Sequence, residues 1–473
     1  MRHGRRHLEA GHRDLAATGD PRAGRGARPD RPRRGAQPVL RPVQEVTNPP
    51  TPARVLLLLP TTTWRAEAFL TAARRLGLEV TVGTDRRLVW AGREPERVLT
   101  LDFADPEAAA ETVAGFAATR PLKAVVGVDD DTVILASVIA ARLGLPHHPL
   151  AAVEAARDKQ RQRDVLDAAG LPVPAFTPCR LDADPRAIGA KVGFPCVLKP
   201  LKLSASRGVM RADDAPALGA ALRRLRALLA SKDVGACGED AVTGLAEAFI
   251  PGREVALEGL VEGKALRVLA LFDKPDPLDG PYFEETIYVT PSRLPADAQA
   301  AVIDCATRAV AALGLARGPV HAELRVDARG PWIIEVAARP IGGLCSRVLS
   351  FGDGVSLEEL ILRQAVGLKT EGLTRERRAA GVMMIPIPSE GVLERVEGAD
   401  QAGRVPGIEA VAITAHPGER LVPFPEGSRY PGFLFARGET PEAVERALRE
   451  AHGRLRFVLS KAGAGSTANA SPR

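Results

Sequence analysis

The sequence predicts an α/β and α+β protein in which a doubly wound parallel sheet precedes a larger mixed domain and a small α+β cap. Three observations predict it. Between Val55 and Leu143 strand-like and helix-like stretches alternate. Between Phe194 and Pro340 short apolar runs end on Lys, Ser, Glu or Arg rather than on ordinary turn residues. After Val382 come short strands and then a helix opened by Thr440-Pro-Glu442. At 473 residues the chain exceeds one ordinary core. The expected divisions are a disordered tail at 1–52, an α/β domain at 53–150, a larger domain at 151–372, the cap at 373–461 and a second tail at 462–473.

Composition excludes several classes. The longest apolar run, Val55 to Leu59, is strand-sized and far short of the roughly eighteen residues that span a bilayer, so no membrane partner is expected. The five cysteines are odd in number, widely spaced and form no CxxC pair, which argues against a disulfide framework or a zinc site and for a cytoplasmic protein. The net charge of +6 invites a nucleic-acid reading. Residues 1 to 52 hold eleven Arg against five acidic residues, which accounts for all of it. The remainder is formally neutral, and no nucleic-acid partner is expected.

The first domain begins with a strand at Val55 to Leu59, a helix at Ala66 to Leu76 and a strand at Leu78 to Val82. The turn after the first strand is Pro60-Thr-Thr-Thr63, where a dinucleotide-binding fold needs glycines. A strand at Ala124 to Val128 runs through Asp129-Asp-Asp131 into a helix at Val133 to Leu143. The three aspartates either cap that helix or bind a cation or a substrate amine. A linker at Leu145 to Pro149 leads to one helix from Leu150 to Ala169, carrying Lys159 and stopped by Gly170 and Pro172.

The stretch from Phe194 to Pro340 carries the chemistry. A strand from Phe194 delivers Lys199 to the edge of a loop, where a compact cation can meet a phosphate. Ser204, Ser206 and Gly208 then form a small hydroxyl-bearing loop whose amides can wrap phosphate oxygens. Glu247 to Ile250 and Arg253 to Leu260 read as a strand pair about Pro251-Gly252. The backbone of Phe249 and Ile250 can pair with an adenine edge, and Glu254 with ribose hydroxyls; the alternative is an exposed hairpin with two solvated glutamates. Val320 to Val326 and Trp332 to Val336 form a hairpin that sets Glu323 opposite Glu335. Glu335 interrupts an apolar run, which is costly unless a cation compensates it. Paired carboxylates beside phosphates suit magnesium. His321 reads as a metal-orienting or satisfied structural group.

These residues resemble the ATP-grasp superfamily in the order Asp158-Lys159, Val197-Leu-Lys-Pro200, the Ser/Gly loop, Glu247-x-x-Ile-x-Gly-x-Glu254, His321-x-Glu323 and Ile334-Glu335-x-Ala-Ala-Arg-Pro-x-Gly-Gly343. The match runs from about Val55 to Leu459 and is nearest to carboxylate-amine ligases of the L-amino-acid (dipeptide) ligase group. The resemblance makes the divisions a pre-ATP-grasp domain, an ATP-grasp domain and a cap. It implies ATP with Mg2+ (or Mn2+), Lys159 and Lys199 on phosphates, Ser204, Ser206 and Gly208 in the loop closing over them, and Glu247 with Phe249 and Ile250 at adenine. Glu254 would take ribose, Glu323 and Glu335 the metal. Arg339, with Lys199 and Ser206, would serve the transferred phosphoryl group. Glu285, Tyr288, Arg339, Gly342 and Gly343 would meet substrate. Two departures stand out: Ala337 where many members carry Asn, and Tyr288 where the amino-acid ligases tend to carry His. The implied activity is an ADP-forming ligation of a small carboxylate to an amine through an acyl phosphate, and homodimers are common in such families. The alternatives are an enzyme activating formate or bicarbonate, and a non-catalytic ATP sensor.

Overall fold

The structure is a computed structural model that describes residues 52–87, 96–236 and 238–460; the Arg-rich segment and the C-terminal tail named above lie outside the described residues. The first domain holds β1 (Arg54–Leu58), α1 (Ala66–Arg75), β2 (Glu79–Thr84), β3 (Val98–Thr100), α2 (Pro106–Ala117), β4 (Ala124–Gly127) and α3 (Val133–Arg142). The sheet order is β3-β2-β1-β4 and every pairing is parallel. The continuous apolar run of β1 is buried on both faces, as a parallel strand covered by helices requires.

Where one helix was expected between Leu150 and Ala169, there are two, α4 (Leu150–Arg157) and α5 (Lys159–Ala168). Asp158 breaks them with an extended backbone, and its carboxylate accepts the amides of Gln160 and Arg161 as the N-cap of α5. That break places Lys159 in the first turn of a helix, buried, instead of on a solvated face. A lid subdomain follows with β5 (Phe176–Arg180), α6 (Pro185–Val192), β6 (Cys196–Pro200), β7 (Met210–Ala212), α7 (Ala215–Leu229) and β8 (Thr243–Ala248). Its antiparallel sheet runs β5-β8-β6-β7 around its own core.

The expected strand pair about Pro251-Gly252 is not a hairpin. β8 belongs to the lid sheet, whereas β9 (Arg253–Glu262) opens another sheet, and residues 249–252 cross between the two. Gly252 has φ +106° and lies so close to the Val326 carbonyl that a Cβ would sit 2.2 Å from its oxygen. Beyond it come β10 (Ala265–Lys274), β11 (Ile287–Thr290), α8 (Ala296–Leu313), β12 (Gly318–Asp327) and β13 (Gly330–Ala337). A small ribbon of β14 (Ser350–Phe351) and β15 (Val355–Ser356) precedes α9 (Leu357–Val366).

The last segment contains β16 (Ala379–Met384), β17 (Gly391–Glu397), α10 (Ala399–Gly403), β18 (Ile408–Ile413), β19 (Arg420–Leu421), β20 (Gly432–Gly438), α11 (Pro441–His452) and β21 (Arg456–Ser460). Thr440 caps α11 through the Ala443 amide, with Pro441 at the first helical position. The segment is continuous with what precedes it: one eight-stranded sheet runs β13-β12-β9-β10-β11-β16-β20-β18. A boundary near residue 373 therefore cuts across a sheet, because β16 pairs directly with β11.

Candidate active site

The central sheet brings together residues far apart in sequence. In its register Glu254 on β9 stands between Lys274 on β10 and Arg325 on β12, and Glu323 stands opposite Glu335 across β12 and β13. The expected carboxylate pairing of the hairpin is thus present. One cleft between this sheet and the lid is lined by Lys159, Lys199, Ser204, Ser206, Glu247, Phe249, Ile250, Glu254, Glu285, Glu323 and Glu335. It encloses about 70 Å³, far below the few hundred of an open ligand site.

Within the cleft almost every charge has a partner. Glu247, fully buried, holds Lys199 Nζ at 2.6 Å and Arg163 Nε at 2.8 Å, the latter as an ion pair without hydrogen-bond alignment. Burial pushes the Glu247 carboxyl up, but Arg163 and Lys199 outweigh this and hold it below its ordinary range. Its side chain is therefore spent on positioning Lys199. Of the adjoining backbone, the Phe249 amide donates to Pro195 O at 3.0 Å and the Ile250 carbonyl accepts from Arg325 at 2.8 Å. Lys159 Nζ donates to Leu203 O at 2.8 Å and lies 3.6 Å from Glu335. Of the β9 glutamates, Glu254 and Glu258 are both buried rather than solvated.

The Ser204–Val209 loop is drawn over this cleft. Ala205 and Ser206 both have φ near +55°, a backbone region that costs a non-glycine residue free energy and that marks functional loops. Gly208 does not line the cleft. Its amide donates to Pro425 O at 2.9 Å, and its Cα packs toward Leu225 and Leu228. The neighbouring Arg207 donates to Glu426 O at 2.7 Å and pairs with Asp233. The loop is thus latched to the segment before β20, and a phosphate-wrapping role for the Gly208 amide requires that latch to open.

An adjoining cavity of about 240 Å³ is lined by Arg339, Tyr288, Gly342 and Gly343, and also by Trp64, Arg65, Asp129, Met384, Tyr430 and Phe433. Asp130 binds Arg339 at 2.8 Å. Burial raises the Asp130 pKa, but Arg339 and Arg157 more than reverse that. Asp131 pairs with Arg157, and Asp129 accepts from Thr132. Asp130 and Asp131 tie the first domain to Arg339 and to Arg157 of α4, and the N-cap position of α3 is left to Thr132. Arg65 and Arg339 both donate to Pro340 O, at 3.2 and 3.1 Å. Among the described residues, Arg65 Nη1 and the Tyr430 hydroxyl are buried without hydrogen-bond partners.

Lys274, which the sequence did not single out, joins three carboxylates. Its Nζ lies 2.8 Å from Glu254, in hydrogen-bond contact with Glu285, and 3.3 Å from Glu323. Burial opposes its charge, yet Glu254, Glu285 and Glu323 keep it protonated well above the ordinary lysine range. Burial lifts the Glu285 carboxyl to about 7 in spite of Lys274. His321 sits between Glu258 and Glu323, 3.1 Å from the latter. Burial disfavours its charge but the two carboxylates raise it to about 9, so it is a protonated, satisfied group rather than a base at neutral pH.

Comparison with known proteins accords with this arrangement. Residues 192–348 match the ATP-grasp domain family, 70–147 the ATP-grasp N-terminal domain and 383–460 the L-amino acid ligase C-terminal domain 2. The fold and the matched families are those of ATP-grasp carboxylate-amine ligases, enzymes that use ATP and a divalent metal. The chain belongs to the ATP-grasp superfamily and stands with its L-amino-acid ligase group. The L-amino acid ligase from Bacillus licheniformis superposes with a TM-score of 0.75 at 29% identity, over 86% of this chain and 99% of that one. Alanine–anticapsin ligase from Bacillus subtilis (strain 168) is 29% identical over 214 residues, 42% of this chain and 45% of the relative, so the match spans about half of each. An uncharacterized protein, y4rH, of Sinorhizobium fredii (strain NBRC 101917 / NGR234) is 26% identical over 78% of this chain and 75% of its own length. Among the described residues no helix is long and apolar enough to cross a membrane.

Proposed function

We propose that the chain ligates an amino acid or a peptide-like acid to an amine in the cytoplasm, using ATP and Mg2+, with Mn2+ able to substitute. The observation that carries this is the continuity of the two cavities. Glu285, Glu323, Glu335, Ser204 and Ser206 line both the cleft that holds the lysines and the cavity that holds Arg65, Arg339 and an aromatic wall. Phosphate and acid would therefore meet at these side chains.

Each residue's task follows from its surroundings. The Phe249 carbonyl and Ile250 amide, one acceptor and one donor, would read an adenine edge. Glu254 has both oxygens engaged by Lys274 and Arg325, so a ribose hydroxyl would use its remaining lone pairs. Lys159 and Lys199 would meet phosphates, and the Ser204–Ser206 hydroxyls the γ-phosphate. The donor set at Glu323 and Glu335 is hard oxygen in cross-strand register, which fits magnesium. Bound there with ATP, the ion would neutralise developing phosphate charge.

Arg339, held by Asp130 and Pro340 O, would present its guanidinium to the transferred group and later to the tetrahedral oxyanion. The acid's carboxylate oxygen forms the new O–P bond as the bond to the ADP oxygen breaks. The amine nitrogen then attacks the acyl carbon, and inorganic phosphate leaves. Positioning and charge supply the rate, and no side-chain nucleophile is called for. The test is metal-dependent ADP and phosphate release against a matrix of amino acids and small carboxylates, singly and in pairs. Release that needs two partners supports ligation. Release with formate or bicarbonate alone, or nucleotide binding with no release at all, rejects it.

A further inference from the structure

We propose that Lys274 is a built-in cation that fills the place of a second metal ion, so that the chain operates with a single divalent ion. The proposal rests on the reading of the cleft as a metal–ATP site. Glu254, Glu285 and Glu323 each offer an oxygen within 4.8 Å of the others, a spacing that could hold a metal ion. The ammonium of Lys274 stands among them instead. Lys274 hydrogen-bonds Glu254 and Glu285 and is ion-paired with Glu323 at 3.3 Å, so all three carboxylates surround one ammonium.

Nothing about this lysine is loose. It stands opposite Glu254 in the register of β9 and β10, its side chain is 3% exposed, and its Nζ lies 5.0 Å from the centre of the Tyr288 ring. The preceding Asp273 is fixed by Ser292 Oγ at 2.6 Å and by the Arg293 amide at 2.9 Å, so the backbone that delivers the lysine is anchored. On the opposite side of the site the donors run short. Ala337 lies two residues beyond Glu335 on the same strand face and brings no oxygen. Glu323 already meets Lys274 through one oxygen and His321 through the other. Glu335, with its side chain 30% exposed and Lys159 3.6 Å away, is the carboxylate open to an ion. Glu335 and Glu323 would hold one ion together with phosphate oxygens. A second ion in the Glu254–Glu285–Glu323 cluster would have to displace a buried ammonium from its three partners.

The test counts bound Mn2+ by electron paramagnetic resonance, with and without a non-hydrolysable ATP analogue. Wild-type chain with the analogue is expected to bind one Mn2+. Lys274→Gln is expected to gain one further Mn2+ without nucleotide, because the three-carboxylate cradle is vacated. Lys274→Arg keeps the charge and should give the wild-type count, and Lys274→Gln combined with Glu285→Gln should lose the gained ion. Two ions on wild type overturn the proposal, as does a folded Lys274→Gln protein that gains none. Should Lys274→Gln fail to fold, the wild-type count decides. A chain that passes these counts yet releases no ADP with any pair of substrates would fail as a ligase while leaving the role of Lys274 intact.

Discussion

The proposed nucleotide cleft and the adjoining cavity share Ser204, Ser206, Glu285, Glu323 and Glu335, yet they treat buried polarity differently. In the cleft, cations and anions satisfy one another: Lys199 and Arg163 with Glu247, Lys274 and Arg325 with Glu254. In the cavity, Arg65 and Arg339 crowd one carbonyl, and Arg65 Nη1 and the Tyr430 hydroxyl end without partners. A self-satisfied site holds its shape before ligand arrives, at the expense of desolvating ions that pair only with each other. A site with unmet donors is completed by what binds there. The first arrangement suits a ligand common to a whole superfamily, and the second suits one that differs from enzyme to enzyme.

The comparison can be broken most sharply at Glu335, which belongs to both regions. Glu335→Gln should lower ADP formation between about 100- and 1000-fold while the thermal midpoint stays put, because its nearest cation is only 3.6 Å away and solvent reaches it. Turnover near wild type would remove it from the metal set. Next comes Glu247→Ala, which leaves Lys199 and Arg163 as buried uncompensated charges. A loss of about 3–5 kcal/mol in denaturant unfolding is expected, together with weaker ATP binding. A loss below about 1 kcal/mol would mean that the cleft is not held by internal pairing.

A group outside both regions gives a reference point. His148 is buried, its Nδ1 accepts the amides of Ala316 and Arg317, and burial lowers its pKa to about 4. Its folded pKa lies below the ordinary 6.5, so the unfolded chain takes up the proton first. Its contribution is present above 6.5 and lost as pH falls from there toward 4, by up to about 3 kcal/mol. Unfolding free energy measured across that range should fall less steeply in His148→Gln. An equal slope in both proteins would place the acid sensitivity elsewhere. The smallest change is expected at Tyr430→Phe, which deletes an unpartnered hydroxyl. Stability should move by about 1 kcal/mol or less, whereas kcat/KM for the acid should fall several-fold if that hydroxyl meets substrate. A destabilised variant with unchanged kinetics would reverse the contrast.

The cleft was legible because its ligands sit at strand ends in short, ordered motifs. Lys199, Glu254, Glu323 and Glu335 could be placed from alternation alone, and the register of β12 and β13 has the two glutamates opposite each other. The cavity was not legible, since its wall is assembled from a turn after β1, the aspartates before α3, the Arg339–Gly343 exit and the segment ahead of β20. No local pattern announces that Trp64 and Tyr430 will meet. Lys274 was hidden for a related reason: a lysine before proline at the end of a strand reads as a surface residue until its three partners are brought in from β9, β12 and the segment before β11. Arg163 is a related case, because a charged helical run after Asp158 looks solvated while this residue is fully buried against Glu247.

The continuous sheet that joins β11 to β16 bears on how such chains can be recombined. A graft that exchanged the C-terminal segment between relatives would have to reproduce the pairing of Ile287–Thr290 with Ala380–Met383 residue for residue, since a slip of one position turns every side chain of the strand to the opposite face. Expression of the first part alone would bare the hydrogen-bonding edge of a fully buried apolar strand, an invitation to self-association. Inheritance of this segment is thus expected to be all or nothing, with the cavity wall carried by Tyr430 and Phe433 travelling with the strands that support it.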